Sequence, residues 1–216
     1  MRSFRILFLQ LIISFQLCSC SSTESLGVPG AGDGTTIERS SPLGNMNIPM
    51  LFKARITLRK NQYSGLILVK QIEADTSVRI VYLSELGLSL MDLSYKHDEF
   101  EIMKIQDFLN RPLMLKMVQE DFRTLLLDLS AVVPISEGLG EDASTGMLKF
   151  KHKSQRYRYY YERGKIPVRI DRKKGCFGKT VYCIQEGEGL HMTITHRGIK
   201  LYIDLQQIEI SGSHDH

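Results

Sequence analysis

Ser77-Val78-Arg79-Ile80-Val81-Tyr82-Leu83-Ser84-Glu85-Leu86-Gly87-Leu88-Ser89-Leu90-Met91-Asp92-Leu93-Ser94-Tyr95 reads as strand, tight turn, strand. Val78, Ile80 and Tyr82 alternate with Arg79 and Val81, and Leu88, Leu90 and Asp92 alternate with Ser89, Met91 and Leu93. A period of two marks strands with one wetter and one drier face. On this reading Leu90 and the carboxylate of Asp92 share one face. Gly87 accepts a positive φ, so the chain reverses there. That leaves Leu86 at the tip of the turn. Either it folds back into the core, or it projects to touch lipid or a lipidated client; the residues leave both open.

The same period extends outward. Leu51 to Lys60 alternates cleanly, Asn61-Gln62 reads as a turn, and Tyr63 to Glu73 is the next strand. Its Leu66-Ile67-Leu68-Val69 run is apolar on both faces, so both faces are expected to be covered. Glu99 to Ile105 completes a five-strand antiparallel meander. From Arg111 to Leu127 the period becomes helical: Met114, Met117, Val118, Phe122, Leu125 and Leu126 recur on one flank, with Pro112 in the first turn. Gln106 to Leu109 suits a short preceding helix. A methionine stripe is ordinary core, and it also suits a lining that adapts to flexible guests. Ser130 to Ser144, with Pro134, Gly138 and Gly140, reads as a surface loop. Six more strands follow: residues 146–153, 156–162, 167–172, 178–185, 189–196 and 200–208.

Charge is uneven. Residues 149–179 are dominated by Lys and Arg, with Tyr157, Tyr159, Tyr160 and Tyr161 interleaved. Such a stretch fits anionic head groups beside a membrane, or a solvated sheet face that balances acidic loops; nucleic acid is not an expected partner of an exported chain. Cys176 and Cys183 suit the facing arms of a hairpin closed by Gly178 to Val181, as a disulfide in an oxidising compartment or as two reduced thiols. Their spacing is no zinc signature, and no metal or other cofactor is expected. No Gly-x-Ser-x-Gly, His-Glu-x-x-His or phosphate-cradling loop occurs. His191 and His196 are five apart in one strand and so fall on opposite faces. The expectation is a protein that is not an enzyme.

The start of the chain is an address. Arg2 and Arg5 precede an apolar run from Ile6 to Leu17, about a dozen residues where a span needs roughly 20. It ends in Leu17-Cys18-Ser19-Cys20, which resembles the bacterial lipobox. The resemblance implies a signal peptide over residues 1–19, cleavage after Ser19 and acylation of Cys20. Several acyl chains hold such a protein firmly on a membrane. Ser21 follows the Cys where an Asp would retain the protein in the inner membrane, which favours the outer membrane. Residues 20–47, rich in Ser, Gly, Thr and Pro, read as a flexible tether. Residues 48–210 are the expected single domain, and 211–216 a polar tail.

The whole order resembles the outer-membrane lipoprotein receptor LolB and its soluble partner, the periplasmic carrier LolA. Ser84-Glu85-Leu86-Gly87-Leu88-Ser89-Leu90-Met91-Asp92-Leu93 carries the closest likeness, a Leu-Gly turn whose leucine protrudes between two apolar strands. Ile166-Pro167-Val168-Arg169-Ile170 resembles the family's Pro-led strand ahead of the last hairpins. The chain departs from the family in lacking Trp and in its lysine-rich strands. The resemblance implies a mainly β, α+β fold: an open antiparallel half-barrel of about eleven strands, with helices covering the concave side. It implies a lipid-anchored protein of the outer membrane, facing the periplasm, that takes acyl chains of lipidated clients from a LolA-like carrier and passes them to membrane lipids. Leu86 and Gly87 would form the protruding turn, and Phe52, Ile56, Leu68, Ile80, Leu90, Ile102, Met117 and Phe122 the candidate cavity lining. A structural or envelope-assembly lipoprotein without lipid cargo is the alternative. A lipid-dependent enzyme would need polar residues clustered in the cavity.

Overall fold

The computed structural model describes residues 39–44, 48–139, 145–162, 164–174 and 178–209. Cys20, Cys176, the leader and the tail therefore lie outside the described residues. Among the described residues the alternating segments form β1 (Met50–Leu58), β2 (Asn61–Ile72), β3 (Ser77–Leu83), β4 (Ser89–Lys96) and β5 (Glu99–Ile105). A helix, α1 (Pro112–Leu126), follows, and then a 3-10 turn (Leu129–Ala131). The chain continues as β6 (Pro134–Leu139), β7 (Thr145–His152), β8 (Gln155–Glu162), β9 (Arg169–Lys174), β10 (Gly178–Glu186), β11 (Leu190–Arg197) and β12 (Leu201–Ile208).

All twelve strands join one antiparallel sheet in the order β5-β4-β3-β2-β1-β12-β11-β10-β9-β8-β7-β6. The first meander runs out to the β5 edge. α1 then carries the chain to the opposite edge, and the second meander returns until β12 pairs with β1, Ala54 opposite Leu205. The sheet does not close, because β5 and β6 remain edge strands. Among the described residues the fold is mainly β, with one helix where several were expected and twelve strands rather than about eleven.

α1 lies where a Met and Leu stripe meets Phe122, Leu125 and Leu126, all three buried. Pro112 suits the first turn, since its missing N–H would have no helical partner there. Residues 39–44 dock on the helix end: the Leu43 N–H donates to Leu125 O at 2.9 Å, and Leu43 is 1 % exposed. The expected tether to residue 47 is thus already anchored by an apolar side chain at Leu43.

Other differences have local causes. The first hairpin turns at Arg59-Lys60, with Leu58 opposite Asn61, because Arg59 takes φ 58°. Gln106 to Leu109 is a turn, closed by the Leu109 N–H on Gln106 O. The expected loop at Ser130–Ser144 contains β6, which pairs with β7 as an edge strand, where Pro134 is tolerated. Gly178 pairs with Lys174, so Thr180 and Val181 belong to β10 and not to a turn. Cys183 is an exposed free thiol opposite Arg169.

The β4–β5 turn also reaches the β7–β8 turn. Asp98 accepts from Lys153 Nζ at 2.7 Å, pairs with His152 Nε2 at 2.9 Å, and accepts from Arg123 Nε of α1 at 3.0 Å. Lys153 Nζ also donates to the Asp98 carbonyl at 2.9 Å, so the sheet is bridged at that end by side chains reaching the β4–β5 turn and not by a strand ladder.

Candidate functional site

The inner face of the sheet is the one α1 covers, and register decides which side chains reach it. Tyr82 opposes Ile67 on one side and Met91 on the other, and Ile80 opposes Val69 and Leu93. Directly opposed residues share a face, so Ile67, Tyr82, Met91 and Leu93 all point inward and are buried. Gly65 makes room for Tyr82: a Cβ there would sit 2.7 Å from its ring and would collide with Leu83 O.

Under α1 this face leaves an apolar cavity of about 70 Å³. Met114, Leu115, Met117, Val118 and Phe122 form its roof. Ile56, Ile67, Tyr82, Met91, Ile194, Leu201, Ile203 and Leu205 form its floor.

Of the expected lining residues, Ile56, Met117 and Phe122 line this cavity. Phe52 and Ile80 point inward but are packed solid, at 1 % and 0 % exposure. Leu68 is corrected: Ile67 takes the inward parity, and Leu68 falls on the other face. Leu90 is corrected in the same way, since Met91 and Leu93 face inward. Asp92 shares Leu90's parity, and on the outer face it accepts from Arg79 Nε at 2.9 Å. Ile102 sits on the edge strand β5 and is 42 % exposed.

Beside the cavity is a buried polar cluster that the sequence reading missed. Asp121 Oδ1 accepts from Arg172 Nη2 at 3.0 Å and from the Tyr182 hydroxyl at 2.8 Å. Its Oδ2 pairs with His196 Nε2 at 2.8 Å, and His196 Nδ1 meets Thr180 Oγ1 at 3.3 Å. Arg172 also donates to Thr124 Oγ1 and to the Glu120 carbonyl. Both ring nitrogens of His196 are engaged, and the guanidinium is wrapped by acceptors. The arrangement fastens one flank of α1 to β9, β10 and β11. Burial works to raise the Glu120 carboxyl. The Gln155 hydrogen bond and the charges of Arg172 and Lys174 outweigh it and hold the group below the ordinary range.

The Leu86 turn resolves toward projection. Ser84 N–H donates to Leu88 O at 2.9 Å, and Gly87 N–H donates to Ser84 O at 2.9 Å. Gly87 takes φ 78° in open space, so its backbone conformation, not crowding, calls for glycine. Leu86 is 88 % exposed and Leu88 is 65 % exposed.

The basic strands divide by face. Tyr157, Tyr159 and Tyr161 point inward with Phe150, whose ring stacks on that of Tyr157 at 5.0 Å between centroids. Lys149, Arg156, Arg158, Arg169 and Lys173 lie on the outer parity around Asp171. Tyr157, Tyr159 and Tyr161 therefore belong to the core, while Tyr160 lies on the outer face with the Arg169 guanidinium 5.7 Å from its ring centroid.

His191 pairs with Asp204 on the outer parity, away from buried His196. Among the described residues no cluster of three or more potential ligands has metal-holding geometry. No described helix is long and apolar enough to cross a membrane.

Neither a protein-family model nor a curated protein sequence matches this chain.

Proposed function

We propose that this protein is a lipid-anchored receptor of the outer membrane that holds acyl chains of lipidated clients under α1 and releases them into the bilayer. The apolar cavity between α1 and an unclosed sheet is the observation that carries this reading. Cys20 is its anchor, and the LolB-like half-barrel its architecture. The domain faces the periplasm and receives its cargo from a LolA-like carrier. It works by transfer, without chemistry on its cargo.

The cavity's size sets the mechanism. At about 70 Å³ it is far below the roughly 300–1,000 Å³ of small-molecule pockets. A chain enters only as α1 lifts and the roof methionines re-pack. Unbranched Met117 and Met114 re-pack cheaply because they have several accessible rotamers. Each methylene then removed from water contributes about 0.8 kcal/mol. Direction follows from small differences between the carrier's lining, this one and the bilayer. The exposed Leu86 tip supplies an apolar contact at the bilayer surface.

The small cavity also favours a second reading, a structural lipoprotein with a filled interior and no cargo. Mass spectrometry of the purified fragment 37–216, expressed in bacteria, separates the two. Co-bound acyl lipid or lipopeptide at near one per chain supports transfer. A lipid-free protein that takes up no added lipopeptide leaves the structural reading.

A further inference from the structure

Strand register lines up five cations on one rung of the outer face. Lys151 of β7 opposes Arg156 of β8, Arg156 opposes Lys173 of β9, Lys173 opposes Lys179 of β10, and Lys179 opposes Arg197 of β11. Neighbouring strands lie about 4.8 Å apart, so the row runs roughly 19 Å across the sheet. Like charges directly opposite weaken a sheet, and here they recur at four successive pairings. The inner side of the same strands offsets that repulsion: Tyr157, Ile170, Tyr182 and Ile194 pack there at 2 % exposure or less. Elsewhere the outer face neutralises its charges, Arg79 with Asp92 and His191 with Asp204. The acid beside the row is Asp171, already held by Arg169 at 2.9 Å and Lys179 at 2.8 Å. Lys151, Arg156, Lys173 and Arg197 are exposed, and among the described residues none of them has an ion-pair partner. Next to the row lies a concavity of about 200 Å³, walled by Lys149, Arg156, Arg158 and Lys173. Lys149 and Arg158 are likewise unpaired among the described residues.

We propose that the outer face of β7 to β11 docks on a membrane surface rich in anionic phospholipid. A row of cations beside such a concavity suits phosphates spread over a surface better than one enclosed anion. The row lies along the phosphates, and the concavity receives one head group. Arg156 and Arg158 offer forked N–H donors to phosphate oxygens, and the lysines act as point charges. Single-stranded nucleic acid would need rings to stack on. Here Tyr157, Tyr159 and Tyr161 point inward, and the Arg169 guanidinium lies over the ring of Tyr160. Docking is electrostatic and needs no cargo under α1, so it stands or falls apart from the acyl reading.

Vesicle flotation of residues 37–216, a compact unit without leader or acyl anchor, tests this. The vesicles are phosphatidylcholine alone, or phosphatidylcholine mixed equally with phosphatidylglycerol. Binding is expected to favour the mixed vesicles and to fade as salt rises. Lys151→Gln with Arg156→Gln and Lys173→Gln should weaken it about a hundredfold, roughly fivefold per cation. The urea midpoint of that variant should not fall, because repulsive pairs go with the charges. Lys60→Gln with Lys104→Gln and Lys116→Gln removes the same charge away from β7 to β11 and should weaken binding far less. No preference for the mixed vesicles, equal losses in the two triple variants, or a lowered urea midpoint in the first overturns the docking face. A single-stranded oligonucleotide that binds this face more tightly than the mixed vesicles do, phosphate for phosphate, gives it a nucleic acid partner and overturns it as well.

Discussion

Leu86 isolates function from stability at a single residue. At 88 % exposure it contributes almost nothing to packing, so Leu86→Glu should leave the denaturation midpoint within about 0.5 kcal/mol of the parent. Delivery of a lipopeptide to vesicles should nonetheless be lost. Unchanged delivery would remove the tip from the mechanism. Three carboxylates make a different prediction. Asp98, Asp171 and Glu120 are each held below their ordinary range: burial pushes every one of them up, and their cationic or hydrogen-bonding partners push harder the other way. A carboxylate depressed in the folded state stabilises above its unfolded value and loses that contribution as pH falls through its folded value. Stability should therefore be flat above about pH 5 and decline below about pH 4. A urea midpoint that held steady down to pH 3 would contradict the partner assignments.

At the scale of elements, α1 is held by two unlike flanks. One is apolar and roofs the cavity; the other is pinned by Asp121 to Arg172, Tyr182 and His196. Asp121→Asn leaves a buried guanidinium without its counter-charge and should cost about 3–5 kcal/mol. Adding Arg172→Met to it should cost less than the sum of the two single changes, since the stranded charge goes with it. Additive costs in urea unfolding would mean the pair is not coupled.

Strand existence was legible because clean alternation, as in Phe52-Lys53-Ala54-Arg55, allows one reading. Strand parity was not legible wherever both faces are apolar. Leu66 to Val69 and Leu88 to Leu93 offer two equally greasy faces, and only pairing to Phe52, Ile80 and Tyr82 chooses between them. β6 was hidden because Pro134 and Gly138 are turn formers, which an edge strand accepts. The polar cluster was hidden by distance, since Asp121 and His196 are 75 residues apart. Its one local trace is that Asp121 and Thr124 interrupt the flank facing the sheet at helical spacing.

For the whole molecule, the distribution of surface fits the proposed work. An apolar tip stands at the β3–β4 turn, a cationic face covers the outside of β7–β9, and the apolar cavity sits under α1. Like charges stand directly opposite across the outer strands, as Lys151 does to Arg156 and Arg156 to Lys173. Such pairs weaken a sheet by a few tenths of a kcal/mol or more each, a cost that an anionic surface would offset. The account still stands or falls on the space beneath α1. Methyl NMR of the methionines with a fatty acid carrying a nitroxide near its tail tests it most directly. Met91, Met114 and Met117 line that space, while Met103 and Met147 do not. The account predicts broadening of the first three methyl signals at stoichiometric fatty acid, with the other two sharp. Uniform broadening, or none, would contradict it.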